Sequence, residues 1–122
     1  MNILRSIVIL IIVMSETLAD SIFKDNFQNF EKWSFVSDKV MGGVSSGNVE
    51  FLPLENNFLA HITGKVSTEN KGGFIQIRRN LSKINLENSK FIDITANGNN
   101  QKYFVHIRTT GTILPWQYYQ AD

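Results

Sequence analysis

Apolar and polar residues alternate along short runs of this chain instead of recurring at every third or fourth position. Phe58, Ala60 and Ile62 fall on one side of an extended segment, as do Ile75 and Ile77, and as do Tyr103, Val105 and Ile107. A period of two marks a strand with one face turned to a core. Such runs occur at residues 22–27, 49–54, 58–63, 73–78, 91–96, 103–109 and 116–121. Between them stand Ser46-Gly47-Asn48, Glu55-Asn56-Asn57, Asn70-Lys71-Gly72-Gly73 and Asn97-Gly98-Asn99-Asn100, residue types that accept the left-handed backbone of tight turns. The rhythm predicts an all-β sandwich with the three alternating sets as its core. Residues 81–88 show no clean period and are expected to form a loop or a short helical turn; no internal repeat or interdomain linker interrupts the pattern.

The start of the chain departs from this pattern. Arg5 precedes an unbroken apolar run at residues 7–14, and Thr17 and Ala19 supply the small residues at minus three and minus one of a signal-peptidase site. Residues 1–19 are therefore expected to be a signal peptide and 20–122 a β-sandwich domain that is exported, periplasmic or secreted. The rival reading is an uncleaved interfacial anchor. The apolar stretch is shorter than the about 20 residues needed to cross a bilayer, so no stable membrane span is expected.

Composition narrows the classes further. Twelve Lys and Arg against eleven Asp and Glu leave a formal charge of +1, too little field to draw in nucleic acid. Without a cysteine there is no disulfide frame and no thiolate metal site. Nine Phe, three Tyr and two Trp with only two Pro suit strands joined by polar turns.

On the faces opposite the core sets, Phe74, Gln76 and Arg78 alternate along one strand and Phe104, His106 and Arg108 along another. If these strands pair in register, the side chains share one surface, on which rings cover apolar C–H patches while amide and guanidinium groups fix orientation. Phe74, Gln76, Arg78, His106 and Arg108, with Trp116 and Tyr118, are thus the binding-face candidates. The plainer alternative is a solvated sheet face with Arg stems lying over Phe rings.

Two glycine motifs are more specific than the strand pattern. One is Trp33-Ser34-Phe35-Val36-Ser37-Asp38-Lys39-Val40-Met41-Gly42-Gly43-Val44-Ser45; the other runs Gly64-Lys65-Val66-Ser67-Thr68-Glu69-Asn70-Lys71-Gly72-Gly73-Phe74-Ile75-Gln76-Ile77-Arg78. In this order and at this separation they resemble the complex I intermediate-associated protein 30 family, and the segment 98–103, Arg108 and Tyr118 extend the likeness over most of the chain from about Phe27 onward. The resemblance implies a galactose-binding-domain-like jelly-roll β-sandwich and a role in binding or assembly, without turnover. Mitochondrial members of the family assist complex I assembly; the signal-like start disagrees with a matrix role, so complex I assembly is not carried over as the leading function. Lys71 stands where the family usually has a second Asn, and Gly98-Asn99-Asn100-Gln101-Lys102 replaces its usual Gly-Asp-Gly before the tyrosine. The family domain also continues past Tyr118, so an incomplete sandwich with exposed edges is expected here.

Candidate chemistry is sparse. Gly42-Gly43-Val44-Ser45-Ser46-Gly47 lacks the Lys-Ser/Thr ending of a phosphate loop. The glycines are instead expected to be structural, with Gly42 and Gly43 in backbone states closed to other residues, Met41 and Val44 plugging the core, and Gly72 and Gly73 making a comparable turn. Asp38 and Glu69, with Asn70 nearby, could hold calcium or act as paired carboxylates; a structural acceptor for backbone N–H groups is the favoured alternative. His61 and His106 are too few for a zinc site without other ligands. Trp33 is expected in the core. Asn80-Leu81-Ser82 is a formal glycosylation sequon, meaningful only on a eukaryotic secretory route.

No catalytic residue, metal or cofactor is therefore expected. The residues favour a non-catalytic binding module, protein-binding or assembly-assisting, using the face around Gln76, Arg78, Arg108 and Tyr118. An exported carbohydrate-binding module using the same face is the alternative, and the partner, protein or glycan, is not named by these residues.

Overall fold

A computed structural model describes residues 23–114 and 116–122; the signal-peptide expectation for residues 1–19 lies outside them. The described chain is all-β. Its six strands form three antiparallel pairs, and its only helical elements among the described residues are short 3-10 turns. The chain divides into two compact units, one up to Ser89 and one from Lys90 to Asp122.

The first unit holds two of the pairs. β1 (Trp33–Ser37) runs against β4 (Ile75–Arg79), with Phe35 opposite Ile77 and Ser34 opposite Arg78. β2 (Ser46–Leu54) and β3 (Asn57–Lys65) form a long hairpin whose register sets Val49 opposite Ile62, Phe51 opposite Ala60 and Pro53 opposite Phe58. These residues share one face, since every second residue of a strand points the same way. Its turn places Glu55 at φ 52. The hairpin's aromatic partners come from the chain before β1: Phe27 lies 5.9 Å from the Phe51 ring and 5.1 Å from Trp33, and Phe30 stacks on Phe51 at 5.6 Å.

The layers meet at glycine. Gly47 and Gly64 pair across the start of the hairpin, and a Cβ on Gly47 would come within 3.1 Å of Phe35 Cζ, one on Gly64 within 2.7 Å of Ile75 Cδ1. Phe35 and Ile75 lie on the same face of the β1–β4 pair. The bare backbone of the hairpin is thus the floor on which that face rests.

Several expectations change. Ser46-Gly47-Asn48 is strand, not turn, because Gly47 serves this interlayer approach. Residues 23–26 form no strand: Phe27 turns the chain at φ 60 while its N–H donates to Asp25 Oδ1 at 2.8 Å, and the segment attaches to the hairpin through Phe58 N–H to Asn26 O, 3.0 Å, and Asn26 Nδ2 to Asn57 Oδ1, 2.8 Å. Met41 and Val44, expected as plugs, are exposed; the turn carrying them is held by polar groups. Among the described residues no hydrophobic side chain is fully buried; those of Phe58, Ala60, Ile75 and Ile77 are partly covered, whereas Ile62, also expected in the core, is exposed.

The second unit carries one short pair, β5 (Val105–Ile107) against β6 (Tyr119–Ala121), with His106 opposite Gln120. Residues 91–96, expected as a strand, are not one: alternation makes a segment competent to be a strand, but its N–H and C=O groups need a neighbour, and this segment has no ladder. Tyr103, Val105 and Ile107, expected in the core, are exposed.

Candidate functional site

The first glycine motif closes on the second through one carboxylate. Asp38 begins a 3-10 turn (Asp38–Met41) directly after β1. It is 0 % exposed, as is Ser45. Asp38 Oδ1 accepts the Ser45 N–H at 2.9 Å, and Oδ2 accepts the Ser45 hydroxyl at 2.5 Å and the Gly73 N–H at 2.6 Å. Its own backbone joins in: the amide donates to Phe74 O at 3.1 Å, and the carbonyl accepts Gly43 N–H at 2.9 Å. Ser45 extends the network by accepting Ser67 N–H at 2.9 Å. Two loops separated by the whole β2–β3 hairpin are therefore tied to a single acid.

Both double glycines make room for it. A Cβ on Gly43 would fall 2.4 Å from Asp38 Cγ, and one on Gly72 would fall 2.3 Å from Oδ2. Gly42 serves the backbone instead, since with φ 88 it ends the 3-10 turn in the left-handed region, and a Cβ there would meet nothing. Of these four glycines, Gly42 and Gly73 (φ 138) need backbone that side chains disfavour; Gly43 and Gly72 need space. Burial works to raise the Asp38 carboxyl, but the Ser45 hydroxyl, the amides of Gly73 and Ser45 and the backbone of Phe74 outweigh it and hold the group below its ordinary 3.8.

Glu69 is not its partner. It starts a 3-10 turn (Glu69–Lys71) and is exposed, whereas Asp38 is enclosed, so the two carboxylates do not share a solvent-facing site. Asn70 and Lys71 in that turn both take the left-handed conformation, at φ 53 and φ 60.

Sequence reasoning missed a second polar hub. Asp25 Oδ2 accepts from Trp33 Nε1 at 2.9 Å and pairs with Arg79 Nη1. The Arg79 and Asp25 side chains are 8 % and 14 % exposed, and the guanidinium lies 5.0 Å over the Phe23 ring. Trp33, half-buried, is thereby fixed at both its apolar body and its polar tip. An Asp in a weak strand-like run and an Arg next to the more conspicuous Arg78 gave no pattern by which to find the pair.

A cavity of about 570 Å³ is lined by Phe35, Val36, Ser37, Lys39, Val40, Ser46, Gly47 and Arg78. It draws on β1, the 3-10 turn, the start of β2, and β4, all within the first unit. Arg78 is the binding-face candidate that reaches it. Gln76, opposite Val36, and Phe74, whose carbonyl holds the Asp38 amide, are half-buried nearby in sequence but do not line it.

His106, Arg108, Trp116 and Tyr118 fall in the second unit, and no ladder joins β4 to β5 among the described residues, so the expected pairing of those two strands is not found. There, His106 stacks on Tyr118 with ring centres 3.9 Å apart and planes 12° from parallel, and on Phe104 at 6.4 Å. Its Nε2 lies 3.0 Å from Gln120 Oε1. The Arg108 guanidinium donates to the carbonyls of Thr112 and Leu114, each at 3.2 Å, which makes it a clamp for its own loop. Trp116 is exposed, and His61 lies on the surface 3.9 Å from Glu50.

The two glycine motifs and the fold they build agree with a comparison against known families. The model of the Complex I intermediate-associated protein 30 family matches residues 22–122. The chain belongs to this family. Neither the curated proteins nor the solved structures contain a significant match to it. Within the family motifs, then, the side chain joining the two double glycines is Asp38.

Proposed function

We propose that this member of the complex I intermediate-associated protein 30 family is a non-catalytic module that binds another protein and assists its assembly, and that it acts after export from the cytoplasm on a jelly-roll scaffold. One observation carries the reading: β1, the 3-10 turn after it, the start of β2 and β4 form a cavity lined by apolar and cationic residues, while the Asp38 carboxylate of that turn is itself sealed. Asp38 and Ser45 are the acid and hydroxyl that the fold brings together, and a nucleophile or general base must reach its substrate. Both are enclosed, and their hydrogen bonds hold loops in place.

The test uses full-length chain expressed with its own N-terminus. Amino-terminal sequencing of secreted material should begin at Asp20, and cross-linking in the exported compartment should capture a defined protein whose yield falls in Arg78→Ala. Retention of the chain in the cytoplasm would overturn the exported half of the reading, and capture unchanged by every cavity substitution would overturn this site.

The exposed Phe104–His106–Tyr118 ring stack favours a second reading, an exported carbohydrate-binding module, because flat rings cover the C–H faces of sugars. Glycan-array binding that disappears in Tyr118→Ala and survives Arg78→Ala would select it.

A further inference from the structure

The lining of the 570 Å³ cavity is one-sided in its hydrogen-bonding chemistry. It contains two cations, Lys39 and Arg78, two serines, and the apolar Phe35, Val36 and Val40, but no Asp, Glu, Asn or Gln. The nearest acid in sequence, Asp38, has both oxygens occupied by Ser45 and Gly73 donors. Neither Lys39 nor Arg78 takes part in an ion pair among the described residues. Two cationic residues without an ion pair, in a lining with few side-chain acceptors, suit a ligand that supplies acceptors and negative charge.

We propose that this cavity is a carboxylate pocket for an acidic peptide segment, with Arg78 and Lys39 receiving a Glu or Asp side chain of the partner and Val36 and Val40 covering an adjacent apolar residue. The inference rests on the protein-binding reading above and names the chemistry of its partner. A sugar fits less well. Its hydroxyls donate as often as they accept, and the lining offers only the two serine hydroxyls as side-chain acceptors, of which Ser37 already accepts a weak bond from the Lys39 amide at 3.5 Å. Nor is the one aromatic residue a free platform, since the tip of the Phe35 ring lies against Gly47. Arg78 supplies a planar fork that can grip both oxygens of a carboxylate; Lys39, on the 3-10 turn, adds a point charge.

The experiment measures binding of a labelled, end-capped hexapeptide of alternating Glu and Leu to the full chain by fluorescence anisotropy. Its Gln/Leu counterpart and a short polyglucuronate serve as comparison probes. The Glu/Leu peptide should bind at least about tenfold more tightly than the Gln/Leu peptide and weaken as salt is raised. Arg78→Ala and Lys39→Ala should each reduce its affinity several-fold, Arg78→Lys less than Arg78→Ala, and Arg108→Ala not at all. Unchanged melting temperatures separate these effects from unfolding, and Arg78→Gln provides a second variant should Arg78→Ala fail to fold. Equal binding of the two peptides, indifference to Arg78, or preference for the polyglucuronate would each overturn the pocket. If a captured protein partner is released neither by the Glu/Leu peptide nor by Arg78→Ala, the pocket is refuted while the protein-binding reading stands.

Discussion

Both carboxylate oxygens of Asp38 are filled by donors from loops on either side of the β2–β3 hairpin, and this makes one residue answerable for the spacing of two motifs. Replacing it by Asn leaves an NH₂ group facing at least one of the Ser45 and Gly73 N–H groups, so a buried donor meets a donor. Asp38→Asn should therefore melt well below the parent protein even though its shape is almost unchanged. The sign of the pH dependence follows from the lowered pKa of Asp38. A carboxyl whose folded-state value lies below its unfolded value stabilises the fold fully above the unfolded value, near the ordinary 3.8, and loses that contribution as pH falls through the lowered one. Denaturant titrations should show a drop in stability beginning below about pH 4 that Asp38→Asn lacks; equal slopes in the two proteins would refute the assignment. At Lys71 the backbone and the side chain are mismatched. Its left-handed conformation, φ 60, suits Asn or Gly better than a long side chain. Lys71→Asn should stabilise the protein by about 1 kcal/mol, the lower end of the cost of such a conformation, read as a higher melting temperature.

At the level of elements, the hairpin and the β1–β4 pair meet where side chains are missing. Gly47 and Gly64 are cross-strand partners, and each faces a large residue of the other pair, Phe35 and Ile75 respectively. A Gly64→Val substitution would force the layers apart, because its Cβ alone meets Ser46 O at 2.5 Å and Ile75 Cδ1 at 2.7 Å. Overpacking of this kind costs about 1–3 kcal/mol, and a contact with backbone cannot be relieved by a rotamer change. Gly42→Ala, by contrast, enters open space and meets only the backbone penalty of its left-handed φ. Urea melts of the two variants should rank Gly64→Val as the more damaging; the reverse order would mean that the layers do not rest on these glycines. The β2–β3 hairpin is legible in the alternation of residues 49–54 and 58–63, because both of its strands lie next to each other in the chain and their faces differ in polarity. β1 is hidden inside a motif conspicuous for its glycines, and the ladder it makes with β4 joins segments on opposite sides of that hairpin. A period of two identifies a face but not a distant partner, which is also why residues 91–96 resemble a strand and do not form one. Asp38 stands out as the acid of a motif, but its donors Ser45 and Gly73 come together only in three dimensions.

The two units of the molecule differ in what holds them. Up to Ser89 the chain has a nine-residue hairpin ladder, a second strand pair resting on it, an aromatic cluster around Phe51 and two polar hubs, at Asp38 and Asp25. From Lys90 to Asp122 the regular structure among the described residues is one pair of three-residue strands, and large apolar side chains there, Phe91, Ile92, Ile94, Tyr103, Ile113 and Trp116 among them, are exposed. An isolated two-stranded ladder is marginal in water, and local opening free energies follow buried contacts and ladder length. Native-state hydrogen exchange on the full chain should accordingly divide at about Ser89. Amides of β2, β3, β1 and β4 should exchange only through large-scale unfolding, while those of β5 and β6 exchange orders of magnitude faster and respond little to Asp38→Asn. The same exposed apolar surface, far beyond scattered single residues, should bind an apolar dye and drive concentration-dependent association. A partner or second copy that covers it should slow exchange in β5 and β6 selectively. Uniform protection across both units in the dilute monomer would show that residues 90–122 share the stability of the hairpin, and that the ring stack of His106 and Tyr118 is part of a fixed platform.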